Sequence, residues 1–332
     1  DTRTELDATD RDLSRITWRA WDVLLQANSA RPELFRSGGA IVRVETDASG
    51  RPFVHKLESS SLRLALSQAI RWTKPVSRTG AREDAFPPIP VVEAMLSTPD
   101  PRLPELLRIV RVPVFTRDGV LVTEPGYNPD VRVFYSPLSG FHLPDVPPEP
   151  TADDIAEAVR LLREELLADF PFTGRSDMAH AIATALLPFG RDLIEGPTPL
   201  HLVEKPSPGT GATLLVEVLT LPALGQPAIP MTEGGSQDEW RKKLTAELLQ
   251  GPAVVFVDNL SRKLDSDALS TALTTDQFRD RVLGASSMVQ MPVRCLWVAT
   301  GNNPSLSNEI ARRTIRIRLD ARVDRPWLRP TE

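Results

Sequence analysis

Cysteine is almost missing from this 332-residue chain, Cys295 being the single one. That excludes an internal disulfide framework and a structural zinc site made of thiolates alone. Histidine is nearly as scarce, and its four copies are scattered rather than gathered into a ligand cluster. No uninterrupted apolar run reaches the ~18 residues that would suggest a membrane span, and no basic-then-apolar leader opens the chain at Asp1. The expectation is a cytoplasmic protein with no membrane partner. A strong excess of one charge is lacking too. The net charge of −5 argues against a general basic coat for nucleic acid, although Arg and Lys can still be concentrated in one groove. No internal repeat of roughly 20–50 residues is found, which excludes solenoids and propellers.

What is abundant is proline, 31 in all, clustered at 86–90, 98–104 and 144–150 between periodic segments, as connectors are. Residues 10–27 carry apolar residues at helical spacing, 38–57 read as two strands around a turn at Asp47–Gly50, and 59–74 read as a helix. Residues 112–137 alternate strand-like runs with Asp-Gly and Asn-Pro turns, suggesting a small antiparallel sheet. These parts predict an α+β accessory domain over 1–148, with a winged-helix-like module. From Thr151, the first residue of a capping box with Asp154, helix and strand patterns alternate. An α/β fold over 149–332 follows, with a parallel sheet and flanking helices.

Four stretches of that second half carry chemistry. Residues 206–213, PSPGTGAT, follow an apolar strand and open a helix. Pro208, Gly209, Thr210, Gly211, Ala212, Thr213 and Leu214 would form a loop whose amides cradle phosphate at a helix N-terminus, with Thr213 as a hydroxyl ligand for Mg2+. AVVFVDNL (253–260) closes a buried-type strand on Asp258, placed to hold the metal, and on Asn259. VRCLWVATGNNP (293–304) breaks at Asn302, an amide able to orient a water. EIARRTIRIRLD (309–320) sets Arg312 and Arg313 before a strand, where an arginine could reach a neighbouring subunit's phosphate. Each element alone is as compatible with a turn or a surface ion pair. Their order and spacing join them.

PSPGTGATLL, VVFVDN, WVATGNN and ARRTIRIRLD resemble the Walker A, Walker B, sensor-1 and arginine-finger motifs of AAA+ ATPases. The chain looks most like the helicase part of phage and plasmid primase-helicases, akin to superfamily 3 helicases. The resemblance implies a P-loop NTPase core binding ATP and Mg2+ and a ring, expected to be a hexamer. It implies a replicative helicase moving on single-stranded DNA, with a primase or other replication protein as partner. Residues 279–295 would carry a channel hairpin, with Arg279, Arg281 and Arg294 as the DNA-contacting charges. A primase would lie before Asp1, and the small helical lid usual after residue 320 is expected to be missing. Ala212 departs from the pattern by replacing the loop lysine, and Asn259 by replacing a common catalytic glutamate. Three readings of Ala212 stay open: an engineered inactivation, a natural variant using another cation, or a domain that binds nucleotide without turnover. Lys205 is the nearest substitute cation, with Lys242 and Lys243 further off. The alternatives to a helicase are a hydrolysis-deficient AAA+ scaffold or loader, and a DNA-binding module without nucleotide chemistry.

Overall fold

The computed structural model describes residues 2–48, 50–76, 81–144, 146–281 and 288–328. Two compact units are formed, Asp1–Leu107 with Arg132–Phe134, and Arg108–Val131 with Tyr135–Glu332.

The first unit runs β1 (Thr4–Asp7), α1 (Leu13–Ser29), β2 (Leu34–Ser37), β3 (Ala40–Thr46), β4 (Pro52–Lys56), α2 (Ser59–Ala69), β5 (Ile70–Pro75), β6 (Arg82–Asp84), α3 (Ile89–Leu96). Asp12 starts α1 by accepting the Arg15 amide, and one helical face buries Ile16, Ala20, Trp21 and Leu24. Strands β2, β3 and β4 form an antiparallel meander. Its second turn uses Gly50 at φ +75°, a conformation glycine adopts without steric cost. The helix expected over 59–74 stops at Ala69. Ile70 is extended (φ −125°, ψ 135°), and Ile70–Pro75 becomes β5, parallel to β1. Ile70 and Trp72 alternate into the core, as β-branched and aromatic residues do once a neighbour strand supplies pairing. That neighbour, β1, is four residues long and has too little sequence for a periodic signal.

Five short strands come next, β7 (Arg108–Val110), β8 (Val114–Phe115), β9 (Leu121–Val122), β10 (Gly126–Asn128) and β11 (Val133–Tyr135). Around the expected Asp-Gly turn, β8 and β9 pair antiparallel, with Gly119 at φ +83°. The capping box of Thr151 and Asp154 starts α4 (Ala152–Arg160), which continues as a π-helical stretch over Leu161–Leu166. Its periodic apolar face stays outside: Ile155 is 57% and Val159 41% exposed, and only Leu167 at its end is buried.

The remainder runs α5 (Arg175–Gly190), β12 (Leu200–Lys205), α6 (Ala212–Leu224), β13 (Pro230–Met231), α7 (Gln237–Leu249), β14 (Val254–Leu260), α8 (Asp267–Ala272), β15 (Gln277–Arg281), β16 (Met288–Pro292), β17 (Leu296–Asn302), α9 (Asn308–Ala311), β18 (Thr314–Arg318). Residues 108–131 and 135–148, read from sequence as accessory, cluster with this unit, where β8 packs on α5. Five strands form one parallel sheet in the order β13-β14-β17-β12-β18. Leu200, Leu202, Val255, Val257, Trp297 and Ala299 pack on α7 and α8 across one face. Val203, Phe256, Leu296, Val298 and Ile317 pack on α5 and α6 across the other. Covering both faces explains why β14 and β17 open on unbroken apolar runs, Val254–Val257 and Leu296–Ala299. The mixed α/β architecture expected from 149 onward is therefore present. Its topology has one consequence for chemistry: the chain leaves β12 for the far edge at β13, then returns to flank β12 with β17 and β18. Such a switch point leaves a crevice at the carboxyl ends of the strands.

His201, on β12, is 3% exposed. The Thr184 hydroxyl donates to the His180 carbonyl (2.7 Å), so at its 2.7 Å contact with His201 Nδ1 it accepts. Burial, reinforced by His180, pushes His201 down to about 4. Above the unfolded value of 6.5 the ring is neutral in both states. Below it only the unfolded chain gains the proton, so stability falls with acidification until the folded value is passed. Wild type is expected to lose ~2.5 kcal/mol more than His201→Asn between about pH 7.5 and 4.5. Urea unfolding of both proteins at the two pH values reads this difference, and equal losses would remove His201 as its source. Among the described residues, no helix is long and apolar enough to cross a membrane.

Candidate functional site

The site is assembled where β12 ends. Gly209 and Gly211 hold φ of +80° and +98°, and Gly211 is the residue from which α6 starts. Both values lie where side chains with a Cβ are strained, so the glycines are used for their backbone freedom. They also admit close neighbours. A Cβ on Gly209 would stand 2.8 Å from Cε3 of Trp327, and one on Gly211 3.9 Å from Cε1 of Phe170. Thr210 fastens the loop internally, its hydroxyl donating to the Ser207 carbonyl (2.8 Å), while Pro208 is exposed.

Behind the loop, three side chains form a hydrogen-bonded chain. Thr213 Oγ1 donates to Asp258 Oδ1 (3.1 Å), and Thr300 Oγ1 donates to the same oxygen (2.6 Å). The fully buried Thr300 hydroxyl in turn accepts from the Asn259 backbone N–H (2.8 Å). Both hydroxyls use Oδ1, which leaves Oδ2 as the open acceptor of Asp258. Alternation aligns the set, since Asp258 follows Val257 on the face opposite the α7–α8 core, and Thr300 follows Ala299 likewise. Lys205, the last residue of β12, shares that face. Burial lowers its pKa and the nearby Asp258 carboxylate opposes the shift.

The two departures from the family pattern have structural correlates. Ala212 is 1% exposed in the first turn of α6, packed with Leu215, Val216 and Val203. Where a loop lysine is expected, this chain has a core residue. Asn259 lies in the irregularity between Val257 and Leu260, with φ +56° and an exposed side chain. Asn tolerates this left-handed backbone better than Glu. Of the further lysines, Lys243 donates to the Thr232 hydroxyl (2.7 Å) and the Glu233 carbonyl (3.1 Å), and Lys242 pairs with Asp238 (3.4 Å). Lys205 is the lysine that stays beside the loop.

Other expected residues fall at varied distances from this centre. Asn302 is exposed at the last position of β17, in register with Lys205. Leu214 is 56% exposed on the outer side of α6 and contributes no side chain to the loop. Arg312 and Arg313 both pair with Glu309 (2.7 and 2.9 Å) and precede β18, where Leu200 N donates to the Arg313 carbonyl. That is the amino edge of the sheet, about 16 Å from the loop at ~3.3 Å per residue of β18. Within one chain they do not reach the loop. Arg318, at the other end of β18, is on the loop's side and was missed. Its amide (2.9 Å) and Nε (3.4 Å) both donate to Asp177, a carboxylate 2% exposed that also accepts from Thr173 (2.8 Å). Thr300 was missed as well. Its only sequence signal was strand alternation with Val298 before the turn.

Strands β15 and β16 pair antiparallel, so the expected hairpin forms. Its tip, 282–287, lies outside the described residues. Arg279 and Arg281 are exposed on one face of β15, while Phe278 and Asp280 point inward. Asp280 anchors the hairpin by accepting the Thr245 hydroxyl of α7 (2.5 Å). A cleft of about 330 Å³ beside it is lined by Arg279, Arg241, Asp238 and Asp267. Arg294 is not on the hairpin. It follows the hairpin's base at the amino edge of the sheet, donating to the Ile194 carbonyl (3.2 Å).

No family model matches the chain, and no curated protein matches it. Among solved structures it is similar to the C-terminal region of NrS-1 in an apo form, at 14% identity and a TM-score of 0.40, over 91% of this chain and 61% of that one. It is also similar to JCV helicase bound to a thiazolopyridine acetamide, at 14% identity and a TM-score of 0.26, over 50% of this chain and 52% of that one. The chain thus spans about three fifths of the first of these.

Proposed function

We propose that the second unit is the AAA+-type, ATP-binding core of a ring-forming helicase that moves along single-stranded DNA during replication of a phage or mobile element. The observation that carries this reading is the Thr213–Asp258–Thr300 chain, set with Lys205 behind two left-handed glycines at the switch point of a parallel sheet. The residues suit the ligand. Gly211 leaves the amides at the start of α6 approachable by phosphate, whereas Trp327 already stands against Gly209, and among the described residues Asp258 keeps Oδ2 open. Among the described residues no group of three His, Cys, Asp or Glu could hold a metal unaided. A hard cation shared with phosphates would take Thr213 and Asp258 as the protein's part of its donor set. Bound Mg2+ would neutralise charge on the phosphates.

In this reading Lys205 supplies the positive charge that Ala212 does not. Thr300 holds Asp258 in position through its buried hydroxyl. Asn259, an amide, can orient a water but cannot take its proton, which favours slow turnover. Arg312 and Arg313 act only across a subunit interface, because their own loop is at the other edge. Arg279 and Arg281 present charge on one hairpin face to a nucleic-acid backbone. The test is equilibrium binding of a fluorescent ATP analogue with and without Mg2+, alongside light scattering with ATP and an oligothymidine. Saturable, Mg2+-dependent binding and assembly to several times the monomer mass are expected. Absence of binding at about millimolar ATP, a concentration that suffices for weak sites, would overturn the reading.

A further inference from the structure

At the amino edge of the sheet, opposite the loop, three arginines lie near one another and one of them, Arg108, pairs with Asp192. Arg108 is 4% exposed and Arg191 1%. Arg108 donates through Nη2 to Asp192 (2.6 Å) and through Nη1 to the Arg294 carbonyl (2.9 Å). Arg191 donates to the carbonyls of Ile194 (3.0 Å), Gly196 (2.7 Å) and Val293 (3.2 Å). Arg294 shares the Ile194 carbonyl, and among the described residues its other donors have no protein acceptor. Counter-charge is short. Cys295 beside them is pushed by burial up to about 12 and stays a neutral thiol. Glu195 is exposed and already paired with Arg117. Among the described residues, that leaves Asp192, paired with Arg108, as the carboxylate of the cluster.

A purely structural clamp would account for part of this. The carbonyl bonds of Arg191 tie the turn after α5 to the segment before β17, and Arg108 adds a strut. It does not account for the excess of positive charge, since unpaired buried charge is costly and a clamp would work with one cation per carboxylate. Nor does it account for the Nε groups of Arg108 and Arg191, which are buried and make no hydrogen bond. Each orphan donor adds to the cost of burying this charge. Burial, with Arg294 and Arg108 nearby, pushes Arg191 down to about 10, the direction expected for a cation short of anions. The cluster has an open side. Arg294 is only half-buried, and Leu193 and Ile194 next to it are 45% and 39% exposed.

We infer that Arg294, backed by Arg108 and Arg191, forms a phosphate-binding site at this edge that takes the phosphodiester backbone of a nucleic-acid strand. A guanidinium fork matches two phosphate oxygens, and the buried pair behind it adds field without competing for contact. No residue is shared with the phosphate loop, so the site stands whether or not the loop binds ATP.

The experiment uses the full chain, as wild type, Arg294→Ala and Arg294→Lys, with folding checked by circular dichroism. Binding of a fluorescein-labelled oligothymidine is read by anisotropy over about 50–200 mM salt. Arg294→Ala should bind about tenfold more weakly, with a salt slope smaller by about one. Arg294→Lys, keeping the charge without the fork, should fall between. Binding of the ATP analogue should not change in either variant, and its absence in all three proteins would count against the loop alone. Inorganic phosphate should raise the melting temperature of wild type more than that of Arg294→Ala. If that phosphate effect appears while oligothymidine binds all three proteins alike, the site takes free phosphate and the nucleic-acid assignment is overturned. If the three proteins match in both measurements, the cluster is a clamp only and the inference fails.

Discussion

Asp258→Asn is expected to weaken Mg2+-dependent ATP binding by about 10²–10³-fold while leaving the fold intact. The amide keeps an oxygen that can accept from Thr213 and Thr300, whose hydroxyls lie 3.1 and 2.6 Å from Oδ1. Local geometry is therefore preserved. What is lost is the negative charge at the one open acceptor behind the loop, and truncating a charged partner of this kind costs ~2–5 kcal/mol. Two controls locate the effect. Nucleotide binding in the presence of a chelator should change little, because the cation then contributes nothing, and the melting temperature should shift by only a few degrees (~1 kcal/mol or less). A variant whose Mg2+ dependence equals that of wild type would remove Asp258 from the site.

Lys205→Ala is expected to lower ATP affinity about 10²-fold, with or without Mg2+. The reason is elimination as well as position. Position 212 holds a buried alanine, Lys243 is committed to the end of β13, and Lys242 pairs on the surface. The pH dependence gives a second readout. Partial burial lowers the pKa of Lys205 below the ordinary 10.5, with Asp258 opposing. Its charge is thus complete on the acid side and lost as pH rises through the lowered value. ATP affinity of wild type should accordingly decline in the alkaline range before ordinary lysines titrate. Lys205→Arg, whose guanidinium stays charged, should hold its affinity there. If the alanine variant binds as wild type does, the phosphate-facing cation lies elsewhere.

The sequence disclosed the parts of this site that are local and left out those that are not. Val254–Val257 and Leu296–Ala299 are continuous apolar runs, and Leu200–Val203 is one broken only by His201, because they are covered on two faces, so the parallel sheet could be expected. The Gly209–Gly211 spacing and the helix after it could be expected on the same local grounds. Strand order could not, because pairing of β12 with β17 and β18 spans about a hundred residues of chain and is set by packing. Thr300 was hidden for that reason: nothing near it in sequence says that Asp258 is adjacent in the sheet. Ile70–Pro75 was misread as helix because its strand partner, β1, lies at the opposite end of the first unit's sequence. The arginine cluster is a similar case, since Arg108, Arg191 and Arg294 are drawn from three separate segments. Conversely, the apolar spacing of α4 was read correctly as a helix, yet its row is exposed in this chain.

The irregularity in β14 bears on which side chain position 259 can hold. Val257 and Leu260 both enter the core that faces α7 and α8, although an odd number of positions separates them and regular alternation would send one of them to the other face. One inserted residue reconciles the two. It lets Asp258 face the loop while Leu260 returns to the core, and it leaves Asn259 left-handed at the surface. A glutamate at 259 would carry backbone strain on the order of 1 kcal/mol or more. Placing a glutamate at 259 without that strain would call for a change of strand length at the end of β14 as well as the exchange of one side chain.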